Sequence, residues 1–452
     1  MRFLKATICF ITVLVSINSY SQELESIDSL YLSTVEEFYQ NAEKSKQSIW
    51  EGMTLSPICL FRINGLAILY NHPNPPQSFK RLSDRLYIGT QNELQIFGAT
   101  TAKINGVLTA IVDYERIYDS SIEVYSELFH ELHHAYQMQN ISNIEFDNPA
   151  TLLRYPENYN NDAIKLFEQE TLYRLYKTEN QKTFNKLLNQ FYSSRLKREK
   201  IIGKTFSEYE QHVENMEGPA RYCQYRYYDT FSEKESILKD NYIEKEFLGV
   251  LTTPYFGRSN LRYRHLASGM TMCLILDKYH KDWKTEYYLQ KENLYNFFLS
   301  KFNPKQIPIN LNQEIIEICK YQTGKEIAKH QENIKEFNAS SGTKVILEFK
   351  KTPMFKGFDP MNAESINDST ILHKTLLRLG NSNNDELFIT NGNSLTTIKK
   401  QIWFVDKVIL YLSDKDIDLT DNMITIKNEN IQVSWKGKLK NENDDEIEFI
   451  CE

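Results

Sequence analysis

Cysteine is scarce in this chain of 452 residues: there are six, none in C-x-x-C spacing, so the sequence specifies no disulfide framework. Positive charge is also short. Lys and Arg total 53 against 60 Asp and Glu, a formal net charge of −7 that gives no support for nucleic-acid binding. Past the N-terminus no stretch reaches the roughly 18 consecutive apolar residues of a membrane helix, and no internal repeat or low-complexity tract is evident. The remaining composition is that of an ordinary folded protein, 41% hydrophobic and 25% charged, with 28 Tyr and 25 Phe. The length predicts two domains, or one large domain and a smaller one.

The first 21 residues differ from the rest. Arg2 and Lys5 precede an apolar run from Ala6 to Ile17, and small residues follow at Ser19 and Ser21, the pattern of a cleaved signal peptide. The run is shorter than the roughly 20 residues that span a bilayer, and no lipid-attachment cysteine sits at the expected cut. Cleavage over residues 1–21 predicts a secreted or periplasmic protein with no membrane span in the mature chain. It removes two positive charges and no negative ones, taking −7 to −9. Cys59, Cys223, Cys273, Cys319 and Cys451 remain, an odd number that cannot all pair within one chain.

Apolar, β-prone runs from Ile58 to Tyr70 and from Leu86 to Val112 are broken by Asn64-Gly65 and Asn105-Gly106, both hairpin turn signals. Helical spacing then takes over to about Asn338. It is clearest over residues 121–140, 161–202, 206–228 and 266–279. After Ser340-Ser341-Gly342, short β-prone runs alternate with Asn, Asp, Gly and Ser turns. The expected fold is α+β: a mainly helical catalytic domain over 22–338 with an N-terminal β portion, and a small β-rich domain over 339–452.

The chemistry concentrates in His130-Glu131-Leu132-His133-His134. Residues four apart share one face of a helix, so His130 and His134 can reach one zinc ion while Glu131 faces the water beside it. Ser120, three residues ahead of Glu123, starts that helix as a capping box. At 100° per residue, Leu128, Leu132, Ala135 and Tyr136 fall on one side, and Glu123, Glu127, His130, His134 and Gln137 on the other. The bland alternative for the second side is a solvated polar face. His133 reads as a neighbour of the site, and His72, His212, His280, His330 and His373 as structural or exposed. The cluster Lys197-Arg198-Glu199-Lys200 reads as a solvated helix end, and the strand Val107 to Val112 as a candidate edge for pairing with an extended peptide.

Catalytic zinc takes three protein ligands and keeps a fourth position open, so one more donor is required. No third histidine follows at the metzincin interval. Glu168, Glu170, Glu214 and Glu217, all on predicted helices, remain open as carboxylate donors. Three blocks, His130 to Gln137, Glu217-Gly218-Pro219-Ala220-Arg221-Tyr222, and Ser268-Gly269 to Leu276-Asp277, resemble secreted gluzincin-type HExxH zinc metallopeptidases. Together they span about a third of the chain. The resemblance implies a zincin-like domain with Zn2+ as cofactor and Glu217 as third ligand, with Glu170 as runner-up. Met216 and Pro219 depart from the family pattern, and a proline inside a continuous helix removes a backbone bond and clashes with the preceding turn. Either a helix starts near Gly218 or Glu217 sits at a kink.

The expected activity is hydrolysis of a peptide or protein substrate, with Glu131 as general base and Tyr222, Tyr263 or His265 as candidates to steady the oxyanion. No Gly-x-Met-Glu-Asn segment is present, which leans towards an endopeptidase. Two alternatives stand beside this: a secreted binding protein with a structural zinc site, and a zinc amidase acting on non-peptide amides.

Overall fold

The computed structural model describes residues 25–452 apart from 95, 97, 116–117, 141–148, 233–236, 291, 368, 384, 400–403, 414–415, 421 and 444. The expected signal peptide lies outside the described residues. The chain is α+β, with a mainly helical part and a C-terminal β half-barrel.

Helix α1 (Ser26–Ile49) buries Tyr31, Val35, Phe38, Ala42 and Ile49, residues three to seven apart that form one apolar stripe. It lies against a six-stranded sheet built from β1 (Ile58–Phe61), β2 (Leu66–Tyr70), β3 (Lys80–Arg81), β4 (Leu86–Thr90), β5 (Thr100–Ile104) and β6 (Val107–Asp113). The strand order is β3-β4-β2-β1-β6-β5, antiparallel throughout except where β1 runs parallel to β6. Asn105 and Gly106 both adopt positive φ, 44° and 81°, the backbone that a two-residue hairpin between β5 and β6 requires. Strand β6 therefore has neighbours on both sides. The expectation that it pairs with substrate fails for that reason, and β5 forms the edge on that side of the sheet, with β3 at the other, among the described residues.

Helix α2 (Ser121–Asn140) carries the histidines. Every residue from Glu123 to Gln137 except Glu127 is buried, so the helix is central and its polar side is not solvated. It packs between the sheet and α5 (Lys204–Phe231), and α3 (Tyr159–Lys177), α4 (Gln181–Ile202) and α6 (Leu261–Tyr279) complete the helical part beyond α5. No described helix is long and apolar enough to cross a membrane. The long helix α7 (Gln313–Asn338) leads into the β domain, whose strands from Thr343–Phe349 to Glu446–Cys451 enclose a separate core around Phe349, Trp435 and Phe449. Asn333 on α7 donates to Glu364 of that domain at 2.8 Å, and Phe337 packs edge-on against Tyr411. The five described cysteines are buried and unpaired.

Candidate metal centre

Helices α2 and α5 bring His130, His134 and Glu217 together, 83 residues apart in sequence at the closest. Nε2 of His130 and Nε2 of His134 each lie 3.4 Å from Oε2 of Glu217. Donors about 2.1 Å from a tetrahedral zinc stand about 3.4 Å from one another, so the spacing fits three ligands of one ion. The buried triad could hold a metal ion. It opens on a cavity of about 500 Å³ whose wall includes Glu131, Thr101, Arg221, Arg262 and Tyr263.

Electrostatics around the triad follow from burial and close approach. Burial alone would push the His134 imidazole down, but the facing Glu217 carboxylate overrides it and raises His134 to about 9. Glu217 is held well below the usual carboxylate range by His134, His130 and Arg262, against its own burial. Burial raises Glu131, and the two histidines offset only part of that. The Thr101 hydroxyl on β5 lies 2.7 Å from the Glu131 carbonyl and 3.0 Å from its Oε2. Arg262 donates to the other oxygen of Glu217 at 2.6 Å.

Pro219 lies inside a continuous helix, so no helix begins at Gly218. A mid-helix proline leaves the carbonyl four residues back without its amide and strains the next one. The Tyr287 hydroxyl donates to the Asn215 side-chain Oδ1 at 2.5 Å and lies 3.5 Å from its carbonyl, and Gln137 Nε2 donates to the Met216 carbonyl at 3.1 Å. Because the Gln137 amide nitrogen is committed to Met216, its oxygen must face His134, whose Nδ1 lies 2.8 Å away. That oxygen can only accept, so His134 carries a proton on Nδ1, which leaves Nε2 as the nitrogen that would serve a metal. The proline and the ligand histidine are linked through one side chain.

Two further features fix Glu217. A Cβ on Gly218 would meet the Gly269 backbone at 2.7 Å, so α5 and α6 cross at a point that only two glycines allow. One and two turns before Glu217, Glu214 and Glu210 enter a buried ionic cluster. It contains Asp162, Glu168, Glu210 and Glu214 against Lys165, Arg195, Arg198 and Arg264, four charges of each sign. Arg195 bonds Glu214 at 2.9 Å and Glu168 at 2.7 Å, and Arg198 bonds Glu168 at 2.9 Å and also Glu210. Arg198 is therefore an interior cation and not part of a solvated helix end.

Several expected site residues are placed elsewhere. Tyr222 is fully buried with its hydroxyl donated to Asp277, and its ring packs against Trp50 and Trp283. His265 lies inside the ionic cluster, 3.2 Å from Glu214 and 3.3 Å from Glu210. Neither lines the cavity, whereas Tyr263 does. The reason is helix rotation: α6 presents Arg262, Tyr263 and Leu266 to the cavity, and His265 on the intervening side faces the α5 carboxylates. Glu170 is exposed beside Arg174, and Glu168 and Glu214 are taken up by arginines. His133 points away from the triad, stacked edge-on against Trp50 and 3.2 Å from the Tyr288 hydroxyl, and burial holds it well below the ordinary histidine value.

Thr101, Gln137, Arg262 and Met361 were not singled out as site residues by the sequence. Only Gln137 left a signal, since its helical angle already put it on the side of His130 and His134. Comparison of the chain with protein-family models, with curated proteins and with solved structures returns no match.

Proposed function

We propose that the chain is a zinc-dependent peptidase of gluzincin type, with a zincin-like catalytic domain, acting outside the cytoplasm after export through its N-terminal apolar segment. The observation that carries this is the buried triad at 3.4 Å spacing with Glu131 beside it on one cavity wall. Two imidazoles and a carboxylate suit zinc with a fourth position left for water. Bound there, zinc would act as a Lewis acid and lower the pKa of water towards about 7.

The chain's own residues supply the rest. Glu131, raised by burial, is suited to take a proton from the attacking water and return it to the leaving amine. Thr101 steadies that carboxylate. Ala99, Thr100 and Thr101 bring the sheet edge to the cavity, where backbone groups of β5 can pair with an extended peptide. Tyr263 is the donor we assign to the developing oxyanion.

The test is zinc content and hydrolysis of casein and mixed peptides by wild type, Glu131→Gln, Glu217→Ala and Glu170→Ala. Glu131→Gln should keep zinc and lose activity by a hundredfold or more. Glu217→Ala should lose zinc, and Glu170→Ala should keep it. A wild type that binds zinc but is as inactive as Glu131→Gln over a broad panel would favour a binding protein with a structural site. Full zinc occupancy in Glu217→Ala would overturn the ligand assignment.

A further inference from the structure

The wall of the cavity at the triad carries two unlike sets of side chains. In the polar set, Gln224 donates to Glu127 at 2.6 Å and accepts from Arg221 at 2.7 Å, and Arg221 also donates to the Glu246 carbonyl at 2.9 Å. This set joins one charge of each sign through an amide, which gives little basis for selecting a substrate by charge. The apolar set is Met138, one turn beyond His134, with Met216, Leu266 and Met361. Leu266 and Met361 both pack against a common apolar cluster of Leu152, Tyr155, Tyr209 and Val213.

Met361 belongs to the β domain, more than 200 residues from the histidines. It sits in a tight turn, Pro360–Asn362, which Asp359 braces: one carboxylate oxygen accepts from the Met361 amide at 2.9 Å. The other accepts from Asn362 at 2.7 Å and Thr375 at 3.1 Å. A turn fixed by three hydrogen bonds, with a half-buried thioether at its tip, presents a defined apolar surface. Methionine side chains adapt to differently shaped apolar groups, so a wall built from three of them suits a range of bulky aliphatic and aromatic residues.

We propose that the C-terminal β domain forms part of the substrate-binding cleft, and that Met361 with Met138, Met216 and Leu266 makes a subsite for a bulky apolar side chain next to the scissile bond. This rests on the peptidase reading and assigns to the β domain the choice of bond. Removing apolar surface from such a subsite weakens discrimination by about tenfold or more.

The experiment uses the full zinc-loaded chain as wild type, Met361→Ala and Met361→Lys, a peptide library varied on both sides of the cut, and product sequencing by mass spectrometry. Wild type should cut beside Leu, Ile, Met or Phe in preference to Gly or Ser. Met361→Lys should lose about tenfold or more in kcat/KM for those peptides relative to small-residue peptides, with Met361→Ala intermediate and zinc content unchanged. Cleavage without the apolar bias, or an unchanged bias in Met361→Lys, overturns the proposal while leaving the peptidase reading intact. Cleavage of no peptide by zinc-loaded wild type overturns both.

Discussion

Gln137→Leu is the substitution whose effect the structure defines most closely. The side chain is 2% exposed and makes two bonds, accepting from His134 Nδ1 and donating to the Met216 carbonyl beside Pro219. Leucine fills nearly the same volume and makes neither. The buried His134 N–H then lacks an acceptor, which frees the ring to rotate and to shift its proton. Loss of such an orienting partner weakens a metal site by about 10- to 100-fold, or about 1.4 to 2.8 kcal/mol. Independently, the Met216 carbonyl loses a part-buried hydrogen bond, which costs about 0.5 to 1.5 kcal/mol of fold stability. Gln137→Glu separates the two. A carboxylate still accepts from Nδ1 but offers nothing to a carbonyl, so zinc affinity should return to within a few-fold of wild type while the apo protein stays destabilised. Chelator competition reads the first quantity and urea denaturation of the apo protein the second. The reasoning is refuted if Gln137→Leu binds zinc as tightly as wild type, or if Gln137→Glu binds it as weakly as Gln137→Leu.

At the crossing of α5 and α6, Gly269→Ala places a methyl 2.7 Å from Gly218 Cα and 2.8 Å from the Glu214 carbonyl, both backbone atoms that cannot yield locally. The helices must separate, with a cost of about 1 to 3 kcal/mol in urea denaturation and weaker metal binding through displaced Glu217; unchanged values for both would show that the crossing is looser than described. A pH prediction follows from Glu168. Its burial would raise the carboxyl, but Arg195, Lys165 and Arg198 hold it at about 2, below the ordinary 4.5. A lowered acid stabilises the fold fully above its unfolded value, and this contribution, of a few kcal/mol, is lost as pH falls from 4.5 towards 2. Glu168→Gln should be less stable than wild type at pH 7, and the difference should shrink through that window; a constant difference would contradict the assignment.

What could be read from sequence was local. Two histidines four apart need only a helix to share a face, and Asn105-Gly106 needs only two residues to make its turn. Glu217 was reached by resemblance, since nothing in its own neighbourhood separates it from Glu214 three residues earlier. That separation comes from Arg195 on α4, which takes Glu214 and leaves Glu217 to the histidines. Pro219 looked like a helix end because the side chains that hold the turn before it, Tyr287 on Asn215 and Gln137 on Met216, lie 68 and 82 residues away. Tyr222 and His265 lie on the correct helices but at the wrong rotation, and rotation is set where Gly218 meets Gly269. Met361 had no local signature, because it matters only through the placement of another domain.

The ionic cluster beneath Glu217 draws its eight charges from α3, α4, α5 and α6, which contribute −1, +2, −2 and +1 in that order, so α4 balances α5 and α3 balances α6. An interior charge deprived of its partner costs about 3 to 5 kcal/mol, so arrangements that break these pairings are penalised. Arg195 with Glu214 and Arg198 with Glu210 match α4 to α5, the helix that carries the third metal ligand. The cluster acts as a matching code in assembly, favouring these helix partners in this register over alternatives that bury a charge alone.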